Sequence, residues 1–415
     1  MSDPLFLRCR ECGKTYPAEK RAFCEECFGP LDVEYDFDKI KLNRRSFEGR
    51  SLDIWRYFEV LPITERKNVV DLHAGFTPLL KAENLGRAVG VDQLFIKNDT
   101  VNPTFSFKDR PAEVAVSKAL EFGDSTVCAV STGNLGASVA AHAAKARLAS
   151  YVLAPYDIEA AKIAQIVAYG ANVVSVDGTY DDANRLAVRA SDLLGWNFVN
   201  VTSRPYYVEG SKTIAFELCE QLGWTPPDNV IIPVASGALL RAIHRGFDQF
   251  LTLGLIDKIP RIFGAQADGC SPIARAFKQG SATVTPVASP DTIAKSIAIG
   301  DPGDGKYVLR TVRETDGGIE SAGDPEILDA IFELAKLEGV FTEPAGAVTV
   351  VAARKAVQDG RISKDESTVC CVTGNGLKTN ELVLQGRQVP RPKVTKPNIG
   401  SLKAALSSEA LVASA

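Results

Sequence analysis

The sequence predicts an α/β protein with open, mostly parallel sheets flanked by helices. Short runs rich in β-branched residues alternate with helix-compatible segments through most of the chain. Small and polar residues follow several of these runs, at the strand ends where open sheets bind ligands. The 415 residues, 45% of them hydrophobic and 24% charged, are enough for two or three globular domains.

The composition also limits the classes of partner. A formal net charge of −4 gives no reason to expect nucleic acid or an acidic membrane surface as a partner. No run approaches the roughly 18 consecutive apolar residues of a membrane-spanning helix. The first residues lack the basic and apolar segments of a signal peptide, so we expect a cytoplasmic protein.

Four cysteines form the first recognisable element of the chain. They make two Cys-x2-Cys pairs at a spacing that suits tetrahedral zinc, at Cys9, Cys12, Cys24 and Cys27. We therefore predict a structural, zinc-ribbon-like segment over residues 1–42. Two disulfides fit a cytosolic chain less well, and a nucleic-acid-binding ribbon would need a basic stripe with interleaved aromatic residues.

A connector and a large body follow the ribbon. Residues 32–65 are charged and irregular, with Trp55 and Tyr57 as the expected anchors onto the body, which we place at 43–387. Strand-like runs recur along the body at 94–97, 127–130, 151–154, 172–176, 197–201, 229–234, 261–265 and 368–372. The remaining residues, 388–415, contain prolines and a Ser/Ala-rich end and are expected to form an arm or a loose tail.

The most informative stretch is 102–110, which reads Asn-Pro-Thr-Phe-Ser-Phe-Lys-Asp-Arg. Its Lys108 lies between an aromatic residue and an acid, directly before a run with apolar residues at helical spacing. A lysine at such a junction can be desolvated, lose its proton near neutral pH and attack a carbonyl group. Most lysines near helix starts are solvated surface charges, so the supporting motifs matter.

This stretch resembles the Asn-Pro-Thr-x-Ser-Phe-Lys-Asp-Arg signature of the threonine synthase branch of fold type II pyridoxal-phosphate enzymes. The resemblance covers roughly residues 70–385 and implies two α/β subdomains, the smaller at roughly 110–205. It also implies that Lys108 is catalytic and binds pyridoxal 5′-phosphate covalently. The glycine that is usual in the middle of this signature is Phe105 here, so we expect its ring to narrow the pocket or redirect the loop.

A second strand-to-helix junction lies at 131–138 and is rich in small and polar residues. Taken by itself, it is a helix N-cap with a glycine turn, although its amides and hydroxyls also suit a carboxylate. In similar enzymes this loop holds the amino-acid carboxylate, and its asparagine contacts the ring oxygen of the cofactor. The resemblance therefore implies substrate contacts from Ser131, Thr132 and Gly133 and a cofactor contact from Asn134.

A third junction, at 233–240, is a small-residue loop before another helix. Backbone amides and a hydroxyl at a helix N-terminus can hold a phosphate without a lysine. No Gly-x4-Gly-Lys-Ser/Thr loop occurs in the chain, which disfavours a nucleoside triphosphate. We expect the cofactor phosphate to be bound by Ala235, Ser236, Gly237, Ala238 and Leu239.

The fourth junction, at 372–378, is similar to the Thr-Gly-x-Gly-Leu-Lys run of threonine synthases. The resemblance implies that the Thr373 hydroxyl meets the pyridine nitrogen of the cofactor. A neutral hydroxyl does not keep that nitrogen protonated as a carboxylate would, which favours elimination or replacement over transamination. The structural alternative is a glycine turn that closes the sheet.

Arg204 is the candidate ligand for a substrate phosphate. It precedes 206–213, a segment that resembles one near the substrate phosphate in this family, and a guanidinium pairs well with phosphate. An ordinary surface arginine is the alternative.

Together the motifs predict a threonine synthase that converts O-phospho-L-homoserine and water to L-threonine and phosphate. Cysteate synthase, which uses phosphoserine and sulfite, and serine/threonine dehydratase share the framework and stay open as alternatives. A zinc-ribbon regulatory protein on an inactive enzyme scaffold would leave Lys108 and the three loops unexplained. The expected cofactors are pyridoxal phosphate and structural zinc, and the expected partners are a small amino-acid substrate and a second copy of the chain in a homodimer.

Overall fold

The computed structural model describes residues 4–131, 133–155, 158, 160–178, 180–199, 204–382 and 394–410. The chain divides into two compact units, Met1–Thr379 and Asn380–Ala415. The described strands, all in the first unit, are β1 Pro4–Cys9, β2 Thr15–Tyr16, β3 Leu31–Tyr35, β4 Leu79–Lys81, β5 Leu94–Asn98, β6 Thr126–Val130, β7 Ala149–Pro155, β8 Asn172–Val176, β9 Asn197–Phe198, β10 Asn229–Pro233, β11 Arg261–Ala267, β12 Gly318–Ala322 and β13 Thr368–Val372.

Helices separate most of these strands. Those of the first unit are α1 Glu83–Val89, α2 Asp109–Glu121, α3 Asn134–Ala146, α4 Ala160–Ala168, α5 Tyr180–Leu194, α6 Arg204–Ser211, α7 Thr213–Gln221, α8 Ala238–Thr252, α9 Pro272–Lys278, α10 Gly305–Glu314, α11 Asp324–Glu338 and α12 Pro344–Gln358. The second unit contains α13, Ile399–Ala410. Within the described ranges, none of the helices combines the length and the apolar character needed to cross a bilayer.

The N-terminal segment is a three-stranded antiparallel sheet in the order β2-β1-β3. Leu7 on the central strand lies opposite Tyr16 on one side and Val33 on the other. All three are buried, together with Tyr206 of α6. The small sheet therefore shares a hydrophobic cluster with the body.

The connector carries the two aromatic anchors that the sequence predicts. Trp55 and Tyr57 lie on a 3-10 helix, Ile54–Val60, and both are buried. The Tyr57 ring packs against Phe216 and Phe250, with ring centroids 5.2 and 6.1 Å apart. Since aromatic contacts of this kind contribute beyond their buried area, the connector is firmly attached to the body.

The larger sheet of the body has six strands in the order β12-β11-β10-β13-β5-β4. Every neighbouring pair is parallel except β4 and β5, which run antiparallel. Ile231 on β10 lies opposite Phe263 on β11 and Cys370 on β13, and all three are buried. The central strands are buried on both faces, as parallel strands between layers of helices must be.

The smaller sheet has four parallel strands in the order β8-β7-β6-β9. On one face Ala112 of α2 and Leu135 of α3 pack against Val127. On the other face Ala187 of α5 packs against Cys128. Helices thus cover both faces of this sheet as well.

The predicted α/β class with two mostly parallel sheets is confirmed. The sequence patterns missed β4 and β12 because β4 is a half-exposed edge of three residues and β12 reads Gly-Ile-Glu-Ser-Ala, with few β-favouring residues. Pairing with β11 buries most of β12 all the same. The strand predicted at 197–201 is a two-residue strand, Asn197–Phe198, and residues 200 and 201 lie outside the described ranges.

Candidate active site

Lys108 lies at the junction between the loop after β5 and the first turn of α2. Backbone contacts attach this loop to the segment after β13. The Phe107 amide donates to the Thr373 carbonyl at 2.8 Å, and Ser106 forms an isolated antiparallel β-bridge with Gly374. The Lys108 Nζ donates to the Tyr207 hydroxyl at 3.0 Å. The amine is therefore held at a defined place between the two sheets.

The two charged residues after Lys108 anchor the helix. Asp109 accepts hydrogen bonds from the Thr104 amide at 2.7 Å and from the Ser138 hydroxyl at 2.5 Å. Arg110 is fully buried and pairs with Asp99 at 2.7 Å and with Glu217. Both residues thus fix the position of Lys108 through charge-assisted bonds.

Phe105 does not narrow the pocket, so that expectation was wrong. Its side chain is 45% exposed and does not line the cavity beside Lys108. Its backbone φ of +67° lies in the left-handed region, which glycine adopts without steric cost. The loop therefore keeps a glycine-like conformation, and the ring points away from the cavity.

The loop at the start of α3 is closed by its own serine. The Ser131 hydroxyl accepts hydrogen bonds from the amides of Gly133 and Gly136, at 2.9 and 2.8 Å. Asn134 is buried and donates through Nδ2 to Glu343 Oε1 at 2.7 Å. Thr132 lies outside the described residues. Ser131 therefore caps the helix through its hydroxyl oxygen, and it also lines the cavity.

The loop between β10 and α8 offers an anion site of backbone donors. In the described part of the chain, the amides of residues 235–239 donate no hydrogen bond to a protein acceptor. Gly237 has a φ of +98°, and a Cβ at this position would approach Val308 to 2.6 Å and Asp304 Cβ to 2.9 Å. Free amides at the N-terminus of a 15-residue helix favour a bound anion.

The segment after β13 brings a buried carboxylate close to the site. The Glu343 amide and the Thr342 hydroxyl both donate to the Gly374 carbonyl, at 3.0 and 2.9 Å. A side chain at Gly374 would collide with the Glu343 carboxylate. Glycine is therefore required here so that Glu343 can reach Asn134.

These segments enclose one cavity of about 290 Å³, near the lower end of the range of roughly 300–1,000 Å³ for small-molecule sites. The predicted residues that line it are Lys108, Ser131, Asn134, Ala235, Ser236, Gly237, Ala238, Leu239 and Thr373. Gly133 does not line it and instead packs against Lys162. Arg204 begins α6, but its side chain lies outside the described residues.

Comparison with known proteins identifies the family. A family model described as pyridoxal-phosphate dependent enzyme matches residues 70–374. The threonine synthase of Methanocaldococcus jannaschii is 38% identical over 390 residues, which cover 93% of this chain and 96% of that protein. The threonine synthase of Methanosarcina acetivorans is 38% identical over 406 residues, which cover 97% of this chain and 99% of that protein. The chain belongs to the threonine synthase branch of the pyridoxal-phosphate dependent enzymes.

A solved structure supports the fold of this family. The processed form of threonine deaminase isoform 2 from Solanum lycopersicum superposes with a TM-score of 0.64 at 25% identity, over 74% of this chain and 82% of that one. The predicted fold type II architecture is therefore confirmed.

The donor set of the cavity fits the cofactor of the pyridoxal-phosphate dependent family. The free amides of 235–239 suit a phosphate group, and the amine of Lys108 lines the same cavity. Thr373 contributes a buried hydroxyl at the end of β13. An amine, an anion cradle and a neutral hydroxyl are the groups that a phosphorylated pyridine aldehyde needs.

Several polar residues that line the cavity were not predicted from the sequence, and Glu343 and Tyr207 are two of them. Glu343 is 2% exposed and lines the cavity, and Tyr207 is the hydrogen-bond partner of Lys108. Burial raises the pKa of Tyr207, so its phenol stays neutral through the physiological range. The only local signal for Glu343 is the proline after it, which marks a helix start at Pro344.

Lys378 adds a second amine close to the site. Its Nζ is buried and, among the described residues, makes no hydrogen bond. Burial lowers the pKa of Lys378 to about 8, although Glu343 and Asp109 act in the opposite direction. The amine therefore still carries its charge in most molecules at neutral pH and loses it as the pH rises through about 8.

The four N-terminal cysteines lie together, as their spacing predicts. Their Sγ atoms are all within 4.8 Å of one another, and the four thiols are free. Tetrahedral zinc with Zn–S bonds of about 2.3 Å separates its sulfurs by about 3.8 Å. The closest pairs, Cys9 with Cys27 at 3.4 Å and Cys12 with Cys24 at 3.5 Å, are near that spacing, so the donor set fits zinc.

Proposed function

We propose that the protein is a threonine synthase that converts O-phospho-L-homoserine and water to L-threonine and phosphate. The observation that carries this proposal is the convergence of Lys108, the 235–239 amides and Thr373 on one cavity. The chain belongs to the threonine synthase branch, and its alignment with two threonine synthases covers more than nine tenths of each protein.

The proposed cofactor site uses four parts of the chain. Lys108 binds pyridoxal phosphate covalently, the amides and hydroxyl of 235–239 hold its phosphate, and Asn134 contacts its ring oxygen. The Thr373 hydroxyl faces its ring nitrogen. When bound, the cofactor acts as an electron sink for charge that develops on the substrate carbons. Because a threonine hydroxyl leaves the ring nitrogen unprotonated, the site favours elimination and addition over transamination.

Lys108 and Tyr207 form the proposed proton-transfer pair. Lys108 Nζ takes and returns the protons of the substrate α and β carbons, since it is the amine that lines the cavity at the covalent site. The neutral Tyr207 phenol, 3.0 Å from Nζ, orients the amine and accepts one of its hydrogens. The loss of phosphate from the γ carbon and the addition of water at the β carbon then complete the reaction.

The substrate is proposed to bind against the start of α3. The Ser131–Asn134 loop is proposed to bind the substrate carboxylate, with Ser131 and Thr132 as its contacts, since Gly133 does not line the cavity. Ser131 already caps α3, so its hydroxyl proton, rather than the amides of Gly133 and Gly136, is the donor available to the substrate. Arg204 is proposed to pair with the substrate phosphate from the start of α6.

We also propose a bound zinc, a homodimer and a class of partner, each from a different observation. Zinc on the four cysteines stabilises the ribbon, and four adjacent free thiols suit the reducing cytoplasm. A homodimer is supported by exposed apolar side chains at Val101 and Phe105 of the loop before α2 and at Leu377, on two segments that Asn375 joins by hydrogen bonds. The partners are small amino acids, without nucleic acid or membrane.

The reaction is tested by assaying the purified protein with each candidate substrate. Phosphate release and threonine formation from O-phospho-L-homoserine are expected. A preference for phosphoserine with sulfite would assign the chain to cysteate synthases instead. Ammonia release from threonine or serine alone would assign it to the dehydratases.

A further inference from the structure

The ribbon is connected through Asp304 to the loop that is proposed to hold the cofactor phosphate. Arg10 lies between two of the ribbon cysteines, and its side chain is 7% exposed. Its guanidinium donates to Asp304 at 2.8 Å and to Asp32 of the ribbon at 2.5 and 2.8 Å. Arg10 thus joins the metal-binding end of the ribbon to the residue that precedes α10.

Asp304 is in turn packed against the loop. Its amide donates to the Ser236 carbonyl at 2.9 Å. Its Cβ lies 2.9 Å from the point where a side chain on Gly237 would begin, so no other atom fits between them. Asp304 is 1% exposed and therefore has no freedom to move independently of the loop.

A second ribbon residue, Glu11, contacts the first turn of α10. Glu11 forms an ion pair with Lys306 at 2.7 Å and accepts a hydrogen bond from the Tyr307 hydroxyl. The Arg10 guanidinium also lies over the Tyr307 ring, 5.3 Å from its centroid. Two consecutive residues of the first Cys-x2-Cys pair therefore hold the start of α10 at several points.

The charges explain why an arginine is needed here. Asp304 is a buried carboxylate directly behind a loop that is proposed to receive a doubly charged phosphate, and an uncompensated negative charge would oppose that ligand. Arg10 compensates this charge with a rigid guanidinium that bonds to two carboxylates at once.

We infer that the ribbon is a positioning element of the cofactor site, in which Arg10, acting through Asp304, holds the 235–239 loop in its phosphate-binding conformation. The inference rests on the proposed function, since it assumes that this loop binds the cofactor phosphate. Arg10 and Asp304 are positioning residues, because neither lines the cavity beside Lys108.

The test compares two ligands that differ only in the phosphate group. Apoprotein is titrated with pyridoxal phosphate and, separately, with pyridoxal. In Arg10→Met the affinity for pyridoxal phosphate is expected to fall about tenfold, the scale on which outer contacts act on a bound group. The affinity for pyridoxal is expected to stay unchanged. Arg8→Met is the matched control, because Arg8 is an exposed arginine two residues before Arg10, on β1.

Two further variants separate positioning from loss of folding. Arg10→Lys keeps the charge but not the two-sided guanidinium contact, so it is expected to fold and to show an intermediate loss. In an Asp304→Asn background, Arg10→Met is expected to cost much less, because the two residues act as one unit. Circular dichroism and the thiol content of the ribbon check that each variant is folded.

The outcomes distinguish this inference from the proposed function. If the wild-type protein binds both ligands equally, the loop does not hold the phosphate, and both the cofactor assignment and the inference fail. If the wild-type protein prefers pyridoxal phosphate while Arg10→Met and Arg10→Lys keep the same preference, the inference alone is overturned. An equal loss for both ligands in Arg10→Met would show a general structural role and would also overturn it.

Discussion

Lys108 has two properties that a cofactor-binding lysine needs, since it lies at a fixed helix start and its amine lines the cavity. Lys108→Ala should fold, because the anchoring bonds belong to Asp109 and Arg110. It should lose turnover and the borohydride-reducible yellow chromophore. Activity assays and visible spectra before and after borohydride measure both effects, with the exposed Lys145→Ala as control. A reducible chromophore with full activity in Lys108→Ala would refute the central assignment.

Tyr207 gives a sharper prediction because a similar tyrosine lies beside it. Tyr207→Phe removes the hydroxyl that accepts from Lys108 Nζ, and kcat should fall by about 10- to 100-fold while cofactor affinity stays the same. Tyr206→Phe is the control, since that hydroxyl donates to the Glu19 carbonyl in the ribbon.

The pH profile tests the same pair. Because burial raises the pKa of Tyr207, the phenol does not ionise in the assay range, and the wild-type profile should show no limb from it. The Tyr207→Phe variant should therefore keep the shape of the wild-type profile, with kcat lowered by a similar factor at every pH. If Tyr207→Phe had the same kcat as the wild-type protein at every pH, Tyr207 would have no role in the mechanism.

Helix α8 has a glycine with positive φ next to each end, Gly237 before it and Gly254 after it. Substitutions at these two positions can therefore be compared. Gly237→Ala adds a methyl group 2.6 Å from Val308 and should weaken pyridoxal phosphate binding at least about tenfold. Gly254→Ala follows the same helix at a φ of +67° with no atom within 4 Å. It should cost only about 1 kcal/mol of stability from backbone strain. Equal cofactor affinities in the two variants, measured by titration, would argue against the phosphate assignment.

The ribbon should contribute stability and cofactor affinity but no chemical step. Replacing Cys9, Cys12, Cys24 and Cys27 with serine should abolish bound zinc and lower the unfolding midpoint. Turnover should persist when pyridoxal phosphate is saturating, because the cavity contains none of these residues. Metal analysis of the intact protein, thermal unfolding and assays over a range of cofactor concentrations provide the measurements. Intact protein without zinc and with four titratable thiols would contradict the prediction.

Local sequence patterns were enough to predict the strands that precede the main motifs. Thr373 directly follows the buried, β-branched strand Thr368–Val372, and Lys108 comes ten residues after the end of the mostly buried strand Leu94–Asn98, so each motif lies close in sequence to its strand. Phe105 shows the limit, because its ring size was visible but the positive φ that turns it outward was not. Glu343 and Tyr207 were missed because only the tertiary fold brings them to the site: Tyr207 is 99 residues from Lys108.

The contacts between the ribbon and the body were also beyond sequence reasoning. Arg10 and Asp304 are 294 residues apart, and neither belongs to a motif that predicts the other. By contrast, the alternation of strands and helices predicts the two parallel sheets without any long-range information. The class of fold was therefore predictable, whereas the residues that connect its parts were not.

A buried ion cluster joins the elements around the site into one structure. Arg110 of α2 pairs with Asp99 and with Glu217 of α7, and Lys97 of β5 lies 2.6 Å from Glu217. Burial tends to raise the pKa of Glu217, but Arg110 and Lys97 outweigh it and lower the pKa to about 2. The cluster thus links the lysine helix, the large sheet and α7 through a carboxylate that stays ionised.

This cluster predicts how the stability of the whole protein depends on pH. An unfolded glutamate has a pKa of about 4.3, so the folded value is depressed. The stabilisation is then fully present above the unfolded pKa and is lost as the pH falls toward the folded pKa, on the order of 3 kcal/mol in total. Glu217→Gln should be destabilised by about 3–5 kcal/mol at pH 7, because two buried cations lose their partner.

The difference between wild type and Glu217→Gln should therefore shrink as the pH is lowered from about 5 toward 2. Urea midpoints of the two proteins at a series of pH values measure it, with the variants kept at equal cofactor saturation so that ligand binding does not contribute. Glu314→Gln is the control, since Glu314 is an exposed carboxylate with a side chain 59% accessible. Its difference from wild type should be small at every pH. A Glu217→Gln difference that stays constant through this range would show that the Glu217 carboxylate does not hold the sheet and helices together.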